Sequence, residues 1–257
     1  VVSKEDRKLN RDINRGIIHK IFRINFLNEK VECGIICAVK KSKYAKDKKQ
    51  KDNFTWLIVD DGSTIKVSDL VEKHPSITIL RHEVNQGKGQ AILTGASKVK
   101  ELGYDYFISL DGDGQHLPSQ IKKILNACDG ENQIIIGARN FEIDNVPNGS
   151  KFGRWFSNFW ACWDTEQEIK DSLSGFRLYP TSILDLDIRT SRFDWEMEVL
   201  VKHSWKKRLI KEVIIECYYP TPEERVSHFK KFWDTAAIVM VHIRLLPFKF
   251  LIKKRYK

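Results

Sequence analysis

Residues 54–60 read FTWLIVD, and two stretches of the same kind follow: YDYFISL at 104–110 and QIIIGAR at 133–139. Each is a short apolar run of the length of a buried strand. Segments with helical spacing, from Lys88 to Leu102 and from Leu117 to Ala127, lie between them. Strands that alternate with helices are typical of an α/β domain. The sequence therefore predicts a mostly parallel sheet of at least five strands, flanked by helices.

Charged residues follow each of these predicted strands. FTWLIVD leads into Asp60 and Asp61, YDYFISL leads into Asp111 and Asp113, and QIIIGAR ends at Arg139. Ligands of open parallel sheets bind beyond the carboxyl ends of the strands. We therefore expect these side chains to converge on one crevice, which predicts a site for an anion and a metal ion.

The composition narrows the class of protein. The chain has 257 residues, 42% hydrophobic and 30% charged, with no repeating period, which argues against disordered and solenoid proteins. A net charge of +10 favours an anionic partner: a nucleic acid, an acidic membrane surface or a phosphorylated substrate. Seven lysines fall within residues 40–51, and no nucleic-acid-binding signature is present. Nucleic acid is therefore the least favoured partner.

Cysteine spacing and hydropathy bear on location. The five cysteines are odd in number, and no two have the spacing of a zinc or redox motif, which favours a reducing cytosol. No apolar run is long enough for a membrane span; the nearest, from Ala236 to Leu246, contains His242 and Arg244. Any membrane contact is therefore expected to be peripheral.

Three segments carry amphipathic or aromatic patterns. Residues 1–30 form an amphipathic, basic N-terminal extension that either docks on the domain or touches a membrane. Residues 229–257 combine apolar positions with a basic end, which suits an anionic leaflet. From Phe152 to Trp163, aromatic residues recur at helical spacing. This stripe either packs against the sheet or forms a groove for a lipid.

Two motifs carry residue types suited to phosphate and metal. LDGDGQH at 110–116 offers oxygen ligands for a hard divalent cation, although Asp and Gly are also ordinary turn residues. NQGKGQA at 85–91 has glycines that let backbone amides approach an anion and a lysine that adds charge. It matches neither a Walker A loop nor a dinucleotide fingerprint, so turn formation is an equally simple interpretation.

Four motifs taken together resemble a known family. VDDGST at 59–64, NQGKGQA at 85–91, LDGDGQH at 110–116 and SGFRLYP at 174–180 resemble, in order and spacing, family-two glycosyltransferases with the GT-A fold. The chain is most similar to the polyprenyl-phosphate (dolichyl-phosphate) mannose and glucose synthase branch and to bacterial lipid-linked relatives with a C-terminal SHF motif. The resemblance implies that residues 31–228 form the GT-A domain.

The resemblance also implies donor-site roles. Asp60 and Asp61 would contact the base and ribose of a sugar nucleotide, with Lys88 near that nucleotide. The metal-binding DxDxQ motif corresponds to Asp111, Asp113 and Gln115, which implies Mg²⁺ or Mn²⁺ bridging the diphosphate, and makes Asp113 catalytic through the metal. Arg225 and His228, from the C-terminal motif, would contact the donor phosphates.

On the acceptor side, the resemblance implies that Arg139 and Arg177 hold a phosphate, with a surface ion pair as the simpler alternative. Asp194 is the candidate general base if the acceptor is a hydroxyl. A phosphate acceptor is already anionic and needs no base. Glu196 and Glu198, in the same segment, are expected to orient neighbours or to begin a helix.

The predicted function is inverting, metal-dependent transfer of a hexose from a UDP- or GDP-sugar to a lipid-linked acceptor, with polyprenyl phosphate favoured. The expected location is the cytoplasmic side of a membrane, with a role in cell-envelope synthesis. Relatives usually have a Pro-x-Tyr-Asn-Glu-like segment after the first strand, whereas this chain has Ile36 to Lys41 there. A non-catalytic, glycosyltransferase-like scaffold at a membrane is therefore the alternative, and transfer to a hydroxyl of a lipid or pigment precursor is another.

Overall fold

The computed structural model describes residues 33–39, 55–71, 73–74, 77–111, 115–140, 148–217 and 231–255. The predictions for residues 1–30, for Asp113 and for Arg225 and His228 lie outside these ranges. The strands are β1 (Cys33–Val39), β2 (Thr55–Asp61), β3 (Ile77–His82), β4 (Tyr106–Asp111), β5 (Ile134–Arg139), β6 (Arg177–Pro180) and β7 (Ile210–Ile215). The α-helices are α1 (Val67–Leu70), α2 (Lys88–Glu101), α3 (Ile121–Ala127), α4 (Asn148–Thr165), α5 (Trp195–Trp205) and α6 (Lys231–Arg255).

The seven strands form one sheet in the order β3-β2-β1-β4-β6-β5-β7. Strand β3 is parallel to β2, and β7 is parallel to β5. Strands β1 and β6 are antiparallel to both of their neighbours, so the other five strands share one direction. The predicted α/β architecture, with a sheet flanked by helices, is confirmed.

Strand β1 is antiparallel to both of its neighbours, which bears on the position of the segment that begins at Ile36. The last residue of β1, Val39, pairs with the first residue of β4, Tyr106. The first residues of β1 therefore lie at the crevice edge of the sheet, and Val39 lies at the opposite edge.

Alternate residues of the strands feed two cores, one on each face of the sheet. On one face, Leu57, Val59 and Phe107 pack with residues of α2, α5 and α6. On the other face, Ile58 and Ile108 pack with residues of α1 and α3. Successive residues of a strand face opposite sides of the sheet, and helices cover both sides. The strands are therefore continuous apolar runs in the sequence.

Helix α2 lies very close to the sheet. A Cβ atom added at Gly95 would be 2.0 Å from Cδ1 of Ile36 and 3.3 Å from Cγ2 of Val59. Only glycine fits at this crossing, so the helix that begins at Lys88 is held against β1 and β2. Its first turn is thereby fixed at the crevice edge.

The aromatic stripe of α4 is divided between two sides of the helix. Trp155, Phe159 and Trp163 expose half or more of their surface. Trp160 is half-buried, and its ring centroid lies 5.8 Å from that of His242 on α6. Packing therefore accounts for one side of the stripe and does not account for the three outer aromatic residues. Among the residues that the structure describes, no helix is both long and apolar enough to cross a membrane.

Candidate active site

The predicted convergence of charged residues is present at one edge of the sheet. Cys33 and Gly34, at the start of β1, pair with Asp60 at the end of β2 and Asp111 at the end of β4. Arg139 ends β5, which points the same way. The carboxyl ends of β2, β4 and β5 therefore share the edge at which α2 begins.

A lysine and two carboxylates form the centre of this edge. Nζ of Lys88 lies 2.6 Å from Oδ1 of Asp111 and 3.0 Å from Oε1 of Glu196. The ring of Phe193 lies 5.5 Å from the same ammonium group. A Cβ atom at Gly175 would come within 2.4 Å of Asp111 Oδ2, so this glycine lets the loop before β6 close over the cluster.

The cluster fixes the charge of its members. Burial alone would lower the pKa of Lys88, but the carboxylates of Asp111 and Glu196 raise it above its ordinary value. Burial alone would raise the pKa of Asp111, but Lys88 and then His116 and Arg139 lower it to about 2. Asp111 is therefore ionised near pH 7, and Lys88 is its paired cation.

His116 supports Asp111 as a neutral ring. The backbone N–H of Asp111 donates to Nδ1 of His116 over 3.1 Å. Burial lowers the pKa of His116, Asp111 opposes this, and the charges of Lys88 and Arg139 lower it further, which brings the pKa to about 4. The imidazole is thus neutral near pH 7, with Nδ1 available to accept the bond.

The described metal ligands of the predicted motif fit a hard cation. Asp111 is an ionised carboxylate with 29% of its side chain exposed, and Gln115 adds an amide oxygen four residues further on. Asp113 lies outside the described residues. Within the described ranges, which leave out residues 112–114, no group of three or more His, Cys, Asp or Glu is arranged to hold a metal. Lys88 is the cation beside Asp111 here.

Asp60 and Asp61 are buried and bind the loops around the crevice. Asp60 accepts hydrogen bonds from the N–H groups of Ser63 at 2.9 Å and Val67 at 3.1 Å, and it pairs with Arg81. Asp61 accepts from the N–H groups of Gln86 at 2.9 Å and Gly87 at 2.8 Å. Both carboxylates therefore shape the crevice, and their contact with a nucleotide stays a prediction.

Arg139 is held by a buried carboxylate. Its Nε and Nη2 atoms donate to the two oxygens of Asp171 at 2.8 Å each, and its backbone N–H donates to Asp171 Oδ2 at 3.0 Å. Asp171 is fully buried, whereas 23% of the Arg139 side chain is exposed. The bidentate pair fixes the plane of the guanidinium at the crevice edge.

Arg177 is fully buried. Its guanidinium donates to the carbonyls of Ser172 at 2.7 Å, Ser174 at 2.6 Å and Glu196 at 2.9 Å, and to the hydroxyl of Tyr179 at 3.2 Å. It thus ties the loop before β6 to the first turn of α5. The acceptor-phosphate contact that the resemblance implies stays a prediction for this residue.

The segment before α5 packs on the start of α2. The N–H of Gln90 donates to the carbonyl of Ser191 over 3.0 Å. A Cβ atom at Gly87, which has φ of 98°, would lie 2.6 Å from that carbonyl oxygen. Asp194 follows in this segment, and burial raises the pKa of its carboxyl group. A raised pKa suits a general base, the role predicted for Asp194.

Sequence reasoning missed two partners at this site. Glu196 is predicted to orient neighbours or to begin a helix; it lies in the first turn of α5, and it is also the second carboxylate on Lys88, which was not predicted. Asp171 was not predicted at all, and it fixes Arg139. The short DSLSGFR stretch, with a carboxylate six residues before Arg177, was the one available signal for Asp171.

A seven-stranded sheet flanked by helices, with a carboxylate at the end of β4 and an arginine at the end of β5, is consistent with a GT-A fold. A sequence model of the family described as "Glycosyl transferase family 2" matches residues 34–184. The chain belongs to this family, and it is a glycosyltransferase.

Named relatives agree with this assignment. The chain is 30% identical over 186 residues to a UDP-N-acetylglucosamine–dolichyl-phosphate N-acetylglucosaminyltransferase of Methanococcus voltae, covering 63% of this chain and 74% of the relative. It is 26% identical over 170 residues to an undecaprenyl-phosphate mannosyltransferase of Micrococcus luteus, covering 62% and 70%. It is 27% identical over 165 residues to a dolichol-phosphate mannosyltransferase of Pyrococcus furiosus, covering 60% and 46%.

Proposed function

We propose that this protein transfers a hexose from a UDP- or GDP-sugar to a lipid-linked acceptor, with polyprenyl phosphate as the favoured acceptor. The observation that carries the proposal is the Lys88–Asp111–Glu196 cluster beside Arg139 at the carboxyl edge of the sheet. Cations and carboxylates in one crevice suit a reaction between phosphate groups. The relatives are named as transferases of dolichyl, undecaprenyl or dolichol phosphate, and these names support the same class of acceptor.

The donor would bind where α2 begins. We assign the metal ion to Asp111, Asp113 and Gln115, and the nucleotide to the surroundings of Asp60, Asp61 and Lys88, with Arg225 and His228 on its phosphates. Mg²⁺ or Mn²⁺ would act as a Lewis acid that neutralises charge on the departing nucleoside diphosphate. Lys88 lies on Asp111 itself, so its ammonium group remains beside the diphosphate as a second positive charge.

The acceptor would bind on the Arg139 side. Arg139 has its guanidinium plane fixed by Asp171 and retains exposed surface, so it can offer charge to a phosphate. Arg177 would act on the same phosphate, through the loop that it holds. A phosphate oxygen attacks as an anion without a base, by in-line displacement that inverts the sugar. If the acceptor is a hydroxyl, Asp194 takes its proton.

The protein would meet its acceptor as a peripheral protein at the inner face of a membrane. Seven of the eleven large hydrophobic residues that are exposed within the described ranges lie on α4 or α6. Trp and Phe suit the interface between lipid and water, and a net charge of +10 attracts anionic headgroups. In this proposal residues 229–257 are the membrane-associating segment, residues 1–30 are an amphipathic, basic extension, and residues 31–228 form the catalytic domain.

Transfer itself is the test. Purified protein is given UDP- or GDP-hexose labelled in the sugar, a short-chain polyprenyl phosphate in detergent, and Mn²⁺ or chelator. Label should appear in the organic phase when Mn²⁺ is present, and it should be absent with chelator or when free polyprenol replaces its phosphate. Label with polyprenol but not with its phosphate would move the reaction to a hydroxyl acceptor. No label with any pair would favour the scaffold alternative, which the residues from Ile36 to Lys41 motivate.

A further inference from the structure

Glu198, on α5, holds the segment that precedes that helix. Its carboxylate is fully buried. Oε2 accepts from the N–H of Arg189 at 3.1 Å, from the N–H of Thr190 at 2.9 Å and from the hydroxyl of Thr190 at 2.8 Å. These three hydrogen bonds fix the backbone of residues 189–190.

The other oxygen of Glu198 receives a cation from the C-terminal helix. Nη2 of Arg244, on α6, lies 2.8 Å from Oε1 of Glu198, and Nζ of Lys202 also lies 2.8 Å away. Burial alone would raise the pKa of Glu198, but the hydrogen bonds of Lys202, Thr190 and Arg189 lower it. The carboxylate is therefore ionised, and Arg244 supplies part of the positive charge that it needs.

The segment held by Glu198 leads directly to the first turn of α2. Ser191 follows Thr190 and accepts the N–H of Gln90. A Cβ atom at Gly89 would lie 2.4 Å from Cβ of Trp195, so the segment and the helix start touch without a gap. Lys88, the cation of the site, lies in this same turn. Each step from Arg244 to Lys88 is thus a direct contact.

We propose that Arg244 is a positioning residue for glycosyl transfer, which seats the segment of residues 189–194 against the first turn of α2 through Glu198. The kinetic part of this inference rests on the proposed function. In this proposal Arg244 acts through Glu198 and not on the donor or the acceptor. It makes the geometry around Lys88 depend on how α6, the helix with the exposed apolar residues Met240 and Ile243, lies on the body.

The test compares two variants that each remove one positive charge from α6. Arg244→Met breaks the contact with Glu198, whereas Lys249→Met removes a cation that lies over the Trp163 ring of α4. Backbone hydrogen exchange is followed at Arg189 and Thr190, and kcat and KM are measured with a detergent-soluble acceptor. We expect faster exchange at both amides and a fall in kcat/KM of about tenfold for Arg244→Met alone, with partial rescue in Arg244→Lys.

Equal exchange at residues 189–190 in the two variants would overturn the proposal. If Arg244→Met fails to fold, Thr190→Val tests the same link from its other end, because it removes the hydroxyl bond to Glu198 without touching α6. Wild-type kcat/KM and exchange in Thr190→Val would then overturn it. Absence of transfer in the wild-type protein would count against the proposed function, and the exchange comparison would still decide the link.

Discussion

The crevice edge of the sheet and the outer surface of α4 and α6 depart from an ordinary protein surface in opposite ways. At the crevice, charged groups such as Asp171 and Arg177 are buried and paired. On the helices, large apolar groups such as Trp155 and Trp233 are exposed. Buried charge and exposed aromatic area are the two informative exceptions to normal burial. The crevice therefore has the charges that the proposed reaction between phosphates needs, and the helices have the apolar surface that the proposed membrane contact needs.

The largest expected effect is on the crevice. Asp111→Asn removes the ionised carboxylate that we assign to the metal, and sugar transfer should fall about 10³-fold because charge on the leaving group is no longer neutralised. The fall in sugar transfer is measured as the rate at which label appears in polyprenyl phosphate. Asp185→Asn, at a largely exposed aspartate, is the matched control and should keep wild-type turnover. Near wild-type transfer by Asp111→Asn would show that this region does not carry the reaction.

A smaller effect is expected on stability. Lys88→Met leaves two carboxylates facing each other without their cation, and this should cost about 3 kcal/mol in free energy of unfolding. Urea unfolding measures the loss. Lys98→Met, on the same helix but in an exposed pair with Glu101, should cost under about 1 kcal/mol. Equal costs would mean that the Lys88 cluster is no more buried in solution than a surface pair.

The surface of α4 should affect membrane binding and leave the crevice unchanged. Replacing Trp155 and Phe159 with Ser removes two exposed aromatic side chains and should weaken binding to vesicles with anionic lipid about tenfold. Vesicle co-sedimentation measures this. Transfer to a detergent-soluble acceptor should be retained. Unchanged vesicle binding would show that α4 does not contribute to membrane binding. Loss of transfer to the detergent-soluble acceptor would show that α4 also belongs to the reaction site.

The smallest effect is a pH dependence of stability from the Glu198 carboxylate. Its pKa is lowered in the folded state, so its contribution is present above the ordinary value of about 4.5 and is lost as the pH falls below it. Thermal unfolding is followed from about pH 6 to about pH 3, which spans the ordinary pKa of a carboxyl group. The loss of thermal stability toward acid should be shallower for Glu198→Gln than for the wild-type protein. Parallel curves for the two proteins would contradict the burial of this charge.

Much of the crevice could be predicted from sequence because it depends on local patterns. Apolar runs that end in Asp60, Asp111 and Arg139 require only that the strands share a direction, and the structure places all three at one edge. The exposed stripe of α4 also followed from helical spacing, although the sequence left its orientation open. These features depend only on how side chains repeat along a short segment, about every 2 residues in a strand and about every 3.6 residues in a helix.

The remaining features depend on tertiary contacts. An apolar run such as CGIICAV reads the same in either direction, so the reversal of β1 could not be seen in its residues. Arg177 belongs to a motif that implies a ligand contact, yet its burial is decided by the carbonyl of Glu196, 19 residues further on. The pairing of Lys88 with Glu196 joins two helix starts that no local pattern connects.

The most direct test of the central claim, a metal-assisted nucleotide site at the Lys88–Asp111 edge, is a thermal-shift comparison. Wild-type protein and Asp111→Asn are melted with UDP, GDP and their sugar conjugates, each with Mn²⁺ or with chelator. Ligand at about 100 times its dissociation constant adds about 2.7 kcal/mol of stability. We expect that one nucleotide family stabilises the wild-type protein only with Mn²⁺ and leaves Asp111→Asn unshifted. Equal shifts in both proteins, or no shift in either, would contradict it.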